Sequence, residues 1–397
     1  MGDRLLIYCA AFLRAMGVGL LGVLFALYLS AGGLDAAHIG ILVAAGVAGN
    51  ALATFWVSFW ADRFGRRRAL IGLSGFTAAG AVALALFPGF LGLLIACFLG
   101  MVNAMGRERG ALFTLEQAIL PATADLRHRT QTLAWYNLLL DGAQALGSLL
   151  GGVPFFLRRS LGVANLLSYQ WTVALCAGFG FLGLFLYMGL SRRIEVLGPT
   201  PWRAVSPHSR RIITRLSLLF GLDSIGGGFL PSSLIAYWFF KRFGLGGQML
   251  GPLFFTAHLA NAFSYLGAAW LARRIGLVKT MVFTHLPANL CLIAIPFAPT
   301  VGAAGFLYLL RESLVEMDVP TRQSYVMAVV APEERTIAAG VTNLTRLVAW
   351  TLAPGLSGFA MKGLSLNFPL FFGGGIKILY DLSLYGSFRH VQPPEER

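Results

Sequence analysis

An apolar run that closes on a basic turn, twice in one chain, is what most limits the folds open to this sequence. The first copy runs from Gly49-Asn50-Ala51 to Phe59-Trp60-Ala61 and ends in Asp62-Arg63-Phe64-Gly65-Arg66-Arg67-Arg68, after which another apolar run begins at Ala69. The second copy, 211 positions later, runs from Ala260-Asn261-Ala262 to Trp270-Leu271-Ala272 and ends in Arg273-Arg274-Ile275-Gly276-Leu277-Val278-Lys279. Asn50 falls on Asn261, Ala61 on Ala272, Arg63 on Arg274 and Gly65 on Gly276. A short basic turn between long apolar runs joins two membrane-crossing helices on the cytoplasmic side, because arginine stays out of lipid. Its return at half-chain spacing predicts two related helical bundles in one membrane.

Composition agrees. With 57% hydrophobic and 12% charged residues and a mean hydropathy of +0.71, the chain is too apolar for a soluble protein. A spanning helix needs about 20 apolar residues, so 397 residues accommodate about twelve. The net charge of +14 invites a nucleic-acid partner, yet most lysines and arginines fall in segments that a cytoplasmic N-terminus would place on the cytoplasmic face. The charge therefore reports topology, and no nucleic-acid partner is expected. Both termini are expected in the cytoplasm, in a plasma membrane of the bacterial inner-membrane type. Cys9, Cys97, Cys176 and Cys291 lie in apolar runs without metal-ligand spacing and are read as packing residues. The run from Leu5 to Leu29 is too long for a signal-peptide core and is read as the first span.

Twelve spans are predicted, among them 5–30, 90–112 (span 4), 131–157 (span 5), 213–240 (span 7), 302–324 (span 10) and 366–388 (span 12). The polar stretch 191–212, expected to carry a short interfacial helix around Trp202, links a six-helix bundle over 1–190 to another over 213–397. A second repeat, at an offset of 206, supports this division: Gln117 falls on Gln323, Asn137 on Asn343, Ser148 on Pro354 and Gly152 on Gly358.

The Asp-Arg-x-Gly-Arg-Arg-Arg turn, at this span and in a chain of this length, resembles the loop motif of the major facilitator superfamily. The resemblance covers the whole chain. It implies an all-α membrane protein of two pseudo-symmetric six-helix bundles, with spans 1, 4, 7 and 10 lining a central cavity and spans 3, 6, 9 and 12 outside. It assigns Asp62, Arg63, Gly65 and Arg66 to the conformational machinery. The second copy has Arg273 where the first has Asp62, so a relay built on that aspartate is confined to the first half. Gly147-Ser148-x-x-Gly151-Gly152 resembles the family's antiporter motif with serine for proline. Arg107, three residues before Gly110, stands one residue off the spacing of the family's span-4 arginine.

Charged groups inside a span cost roughly 2.5–3.5 kcal/mol each on insertion scales and require a partner or a task. Depth and span order single out Arg14, Arg311 and Arg346, with Asn50 and Asn261, as substrate ligands, since guanidinium suits carboxylate and phosphate. Asp141, Asp223 and Glu312 are the candidates for carrying coupling protons. For Asp141 and Asp223 the alternative is a permanent ion pair with Arg14 or Arg346. Glu312 and Glu316 either relay protons or neutralise Arg311 and Lys377. Lys377 and Asp381, four apart, are expected to pair with each other. His258 is read as a hydrogen-bonded residue; no metal and no cofactor is expected.

These features predict a secondary transporter, with a small-molecule substrate, protons and the lipid bilayer as partners, acting as a monomer. Proton-driven export of a small organic molecule and carriage of a small organic or phosphorylated anion both fit, and an exported anion satisfies both. A receptor or lipid-handling protein of the same fold is the third reading.

Overall fold

The computed structural model describes residues 2–86, 89–120, 129–195, 206–330 and 334–389. Trp202 and its expected helix lie outside the described residues.

The described residues form sixteen α-helices with short 3-10 turns, and they account for twelve spans. Spans 1 to 3 are α1 (Asp3–Ala31), α2 (Ala36–Phe64) and α3 (Arg66–Leu86). Span 4 is split into α4 (Phe90–Leu99) and α5 (Ala111–Ile119), and span 5 into α6 (Arg129–Leu149) and α7 (Val153–Leu161). Span 6 is α8 (Asn165–Met188). Span 7 is α9 (Pro207–Gly228) followed by α10 (Ser232–Phe243), and spans 8 and 9 are α11 (Gly247–Ile275) and α12 (Leu277–Ala294). Span 10 is α13 (Val301–Val315) with α14 (Asp318–Val329), and spans 11 and 12 are α15 (Arg335–Gly363) and α16 (Phe368–Phe388). Among the described residues, seven candidate spans, two of them α6 with α7 and α9 with α10 taken together, are long and apolar enough to cross a membrane by length and composition alone.

Two interruptions depart from the expected continuous spans. Gly100 to Gly110 is not helical. Met101 at φ 51° and Gly106 at φ 76° take left-handed backbone, and the Asn103 side chain holds the segment by donating to the Arg107 carbonyl (2.8 Å) and accepting from the Met105 amide (3.0 Å). The second break follows Gly226-Gly227-Gly228 and ends at Pro231, which has no amide proton to continue a helix. The first amides of α10 are satisfied by the span-4 break instead: Ser232 donates to Met105 O (3.3 Å) and Ser233 to Ala104 O (3.4 Å).

The chain divides into two compact units. Unit 1 comprises Met1–Thr200 with Pro231–Phe255, and unit 2 comprises Pro201–Leu230 with Thr256–Arg397. Within unit 1, α1 is almost wholly buried from Leu20 to Leu29 and packs on α6, α8 and α10. Its approach to α6 needs glycine: a Cβ on Gly147 would lie 2.0 Å from the Met16 carbonyl oxygen. Within unit 2, α9 packs on α15 and α16, and α12 packs on α13, α14 and α16. Both cores are built from apolar side chains, Tyr136 and Tyr187 among them in the first and Tyr325 and Tyr380 in the second.

Candidate functional site

Each unit encloses an ion network tied to the spans that break. In unit 1 its centre is Arg14 on α1. The guanidinium donates through Nε to Glu108 Oε1 (2.9 Å) and through Nη1 to Glu116 Oε1 (3.2 Å) and the Tyr187 hydroxyl (2.7 Å), while Nη2 pairs with Glu116 Oε2. Tyr136 and Tyr187 each donate to Glu116 at 2.6 Å. Glu116 is 0% exposed, so both its oxygens are neutralised by partners rather than by water. A buried carboxylate persists only when paired in this way.

Beside this network lies a cavity of about 80 Å³, lined by Arg14, Asn50, Asn103, Glu108, Arg109 and Tyr187 among others. Asn50 spans the break in span 4, donating to the Met101 carbonyl (2.8 Å). The remaining Glu108 oxygen, Oε2, is buried without a hydrogen-bond partner. Arg107 lies in the interrupted segment. Its charge and that of Arg109 reach Asp141 on α6.

Unit 2 carries the signs in reverse. Where spans 1 and 4 hold Arg14 and Glu116, spans 7 and 10 hold Asp223 and Arg322, with Arg322 Nη1 3.4 Å from Asp223 Oδ2 and 2.7 Å from Asp318 Oδ2. Lys377 on α16 donates to Asp223 Oδ1 (2.6 Å). His285 on α12 sits with Nδ1 2.7 Å from Asp381 Oδ1 and Nε2 3.4 Å from Lys377 Nζ. Asn289 donates to the other Asp381 oxygen (2.9 Å). Lys377 and Asp381 therefore do not form the pair that their spacing predicts. Lys377 reaches α9 and Asp381 reaches α12, because α16 lies against both helices. Glu312 pairs with Arg311 and accepts from Asn261 (2.9 Å).

Arg346 differs from the other buried arginines. Its Nε donates to the Ser224 hydroxyl (3.1 Å) and its guanidinium stands 5.0 Å from the centre of the Trp350 ring. Among the described residues it makes no ion pair. The half-buried side chain is thus a cation held in place by a hydroxyl and an aromatic face.

The basic turn is organised by a residue that sequence reading passed over. Glu195 accepts from the Arg66 and Arg67 amides (2.6 and 3.2 Å), placing a carboxylate at the N-terminus of α3, where the helix dipole favours it. Gly65 makes the turn at φ 104°, Arg66 Nε bonds Asp62 (2.7 Å), and Arg63 is exposed. Gly151 and Gly152 lie against Gly247 and Gln248 within unit 1.

Glu116, Tyr136, Tyr187, His285 and Asn289 are the residues that sequence reading missed. Glu116 was detectable, since the 206 offset places it on Arg322. Tyr187, His285 and Lys377 come from spans 6, 9 and 12, which the family map puts outside; in this chain they reach the buried ions.

Two groups of membrane-spanning helices with ion pairs inside and interrupted spans beside them define a polytopic membrane protein. The family model described as the Major Facilitator Superfamily matches residues 7–354, and the chain belongs to that family. An uncharacterized membrane protein of Saccharomyces cerevisiae is 25% identical over 423 residues, covering 98% of this chain and 94% of its own. Among solved structures the nucleoside transporter NupG aligns with a TM-score of 0.76 at 12% identity, covering 98% of this chain and 100% of its own. The xylose transporter XylE from E. coli aligns at 0.74 and 13% identity, covering 99% and 98%. A bacterial homolog to the human lysosomal transporter Spinster aligns at 0.71 and 15%, covering 97% and 94%. At these identities the solved structures establish the fold.

Proposed function

We propose that this protein is a proton-coupled transporter that exports a small organic anion by alternating access, with 1–190 and 213–397 as its two halves and 191–212 as the linker. One observation carries the anion reading: Arg346 is a half-buried cation that makes no ion pair among the described residues, in a family that moves small molecules. Arg14 and Arg311 already hold glutamates. They serve to stabilise their units, and Arg346 with the Trp350 face is the substrate contact. Asp223, between Lys377, Arg322 and the nearby Arg346, couples the proton. Asp141 and Glu312 are secondary carriers. The outward direction rests on Gly147, Gly151 and Gly152 and on the basic turn.

The test is flux into and out of proteoliposomes of the purified full chain, under an imposed pH gradient, with a panel of radiolabelled carboxylates and phosphate monoesters. Asp223→Asn is expected to abolish gradient-driven flux and leave part of the substrate exchange; equal loss of both removes the coupling role of Asp223. Arg346→Ala is expected to cost about 2 kcal/mol of anion binding, the worth of a hydrogen bond to a charged group, or roughly thirtyfold in half-saturation. An unchanged half-saturation for every anion transported ends the anion reading.

A further inference from the structure

The unit 2 network contains one imidazole nitrogen whose lone pair is turned to a lysine ammonium. His285 Nδ1 is 2.7 Å from Asp381 Oδ1. A carboxylate only accepts, so Nδ1 carries the hydrogen. Nε2 then carries no hydrogen and accepts from Lys377 Nζ at 3.4 Å, with Asp223 Oδ1 at 3.8 Å. Asn289 Nδ2 also lies 3.2 Å from Nδ1, but its shorter bond, 2.9 Å, goes to the second Asp381 oxygen, which leaves Nδ1 its own hydrogen to give to Asp381.

The helices around this site carry the following charged and hydroxyl groups. From α16 come Asp381, Lys377 and the Tyr380 ring, edge-on at 5.9 Å. From α9 comes Asp223, and from α14 come Arg322 and Asp318, joined to Asp223. The titratable side chains of α13 are Tyr308, Arg311 and Glu312, the last two paired together. Arg346 on α15 completes the set through Ser224. With His285 neutral, Asp223, Asp318 and Asp381 balance Lys377, Arg322 and Arg346.

We infer that His285 Nε2 is a proton-binding site, and that a proton there displaces Lys377 from Asp223. The inference rests on the proton-coupled reading above and names the atom that takes the proton. The proton comes from the aqueous phase, forms an N–H bond on the Nε2 lone pair, and breaks no covalent bond. It places a second cation 3.4 Å from the Lys377 ammonium, in a buried site whose charges previously cancelled. Two like charges at that distance do not both stay without compensation. The Nε2–H turns to Asp223, and Lys377 withdraws toward Asp381. Lys377 is the charged tie between α16 and α9, where the Gly226 backbone packs against Gly373 and the Lys377 stem. Breaking that tie loosens α9 a few residues before its interruption.

The test uses the full chain in lipid nanodiscs, labelled with 15N-histidine and 15N-lysine, followed by NMR through a pH titration. His285 and Lys377 are assigned by difference from His285→Gln and Lys377→Arg. At high pH the expected spectrum shows protonated Nδ1 and bare Nε2. On acidification Nε2 is expected to gain its proton and the Lys377 Nζ signal to move with the same midpoint. Asp381→Asn is expected to lose the single tautomer. A proton on Nε2 at every pH, or a Lys377 signal that ignores the His285 transition, overturns the site. If His285→Gln misfolds, the wild-type titration still decides. Flux separates the two readings. Wild-type liposomes with no pH-driven movement of any probe anion defeat the coupled-transporter reading. Wild-type liposomes that couple, together with folded His285→Gln liposomes that couple equally, defeat the inference alone.

Discussion

Arg14 and Glu116 are the residues on which unit 1 most depends. Glu116 is fully buried and Arg14 nearly so, the two are paired, and two tyrosine hydroxyls complete the carboxylate. Removing one member of a buried pair strands the other and costs about 3–5 kcal/mol. Glu116→Ala is therefore expected to lower the thermal unfolding midpoint of the detergent-solubilised protein markedly. Arg14→Met combined with Glu116→Leu should be far less damaging than the two single losses added together. A Glu116→Ala protein that melts with the wild type would show that Glu108 alone suffices for Arg14. At this scale the sequence reveals depth but not direction around a helix. Arg14 and Asp223 were recognisable as buried because they lie mid-span. Their partners were not, because whether a neighbour is Asp381 or Asp223 depends on helix rotation. His285 was in plain view inside an apolar run and was detectable by the same rule that picked out Asp223.

At the level of elements, glycines set how closely the helices approach. On α6, Gly147 faces the α1 backbone, whereas nothing lies within 4 Å of a Cβ built on Gly142. Gly147→Ala is expected to cost about 1–3 kcal/mol through overpacking. Gly142→Ala is expected to be neutral or to gain about 0.5–1 kcal/mol in helix propensity. Melting midpoints of the two variants give the comparison directly, and equal midpoints would contradict the close α1–α6 approach. The spans and their repeat were readable because about 20 apolar residues in a row have no other use. The break at Gly100 to Gly110 was not readable. Its Met and Val residues continue the apolar run, and only the Asn103 hydrogen bonds to its own backbone reveal that the helix has stopped.

Across the whole molecule, the order of the chain and the grouping of its helices differ. The polypeptide leaves unit 1 after Thr200, returns at Pro231 and leaves again after Phe255. A gene cut after residue 200 would therefore not yield a self-sufficient front piece. That fragment would lack α10, and the Ala104 and Met105 carbonyls would lose the Ser232 and Ser233 amides that now cap them. Expressed by itself, residues 1–200 should be cleared by cellular proteases. Supplying the remainder of the chain in trans, or grafting on 231–255, should rescue its abundance on an immunoblot. Equal abundance with and without that help would mean the returning segment is only a passenger. Otherwise the front half is not finished when the ribosome reaches the linker: its last piece is still to be made, and must travel back to be fitted.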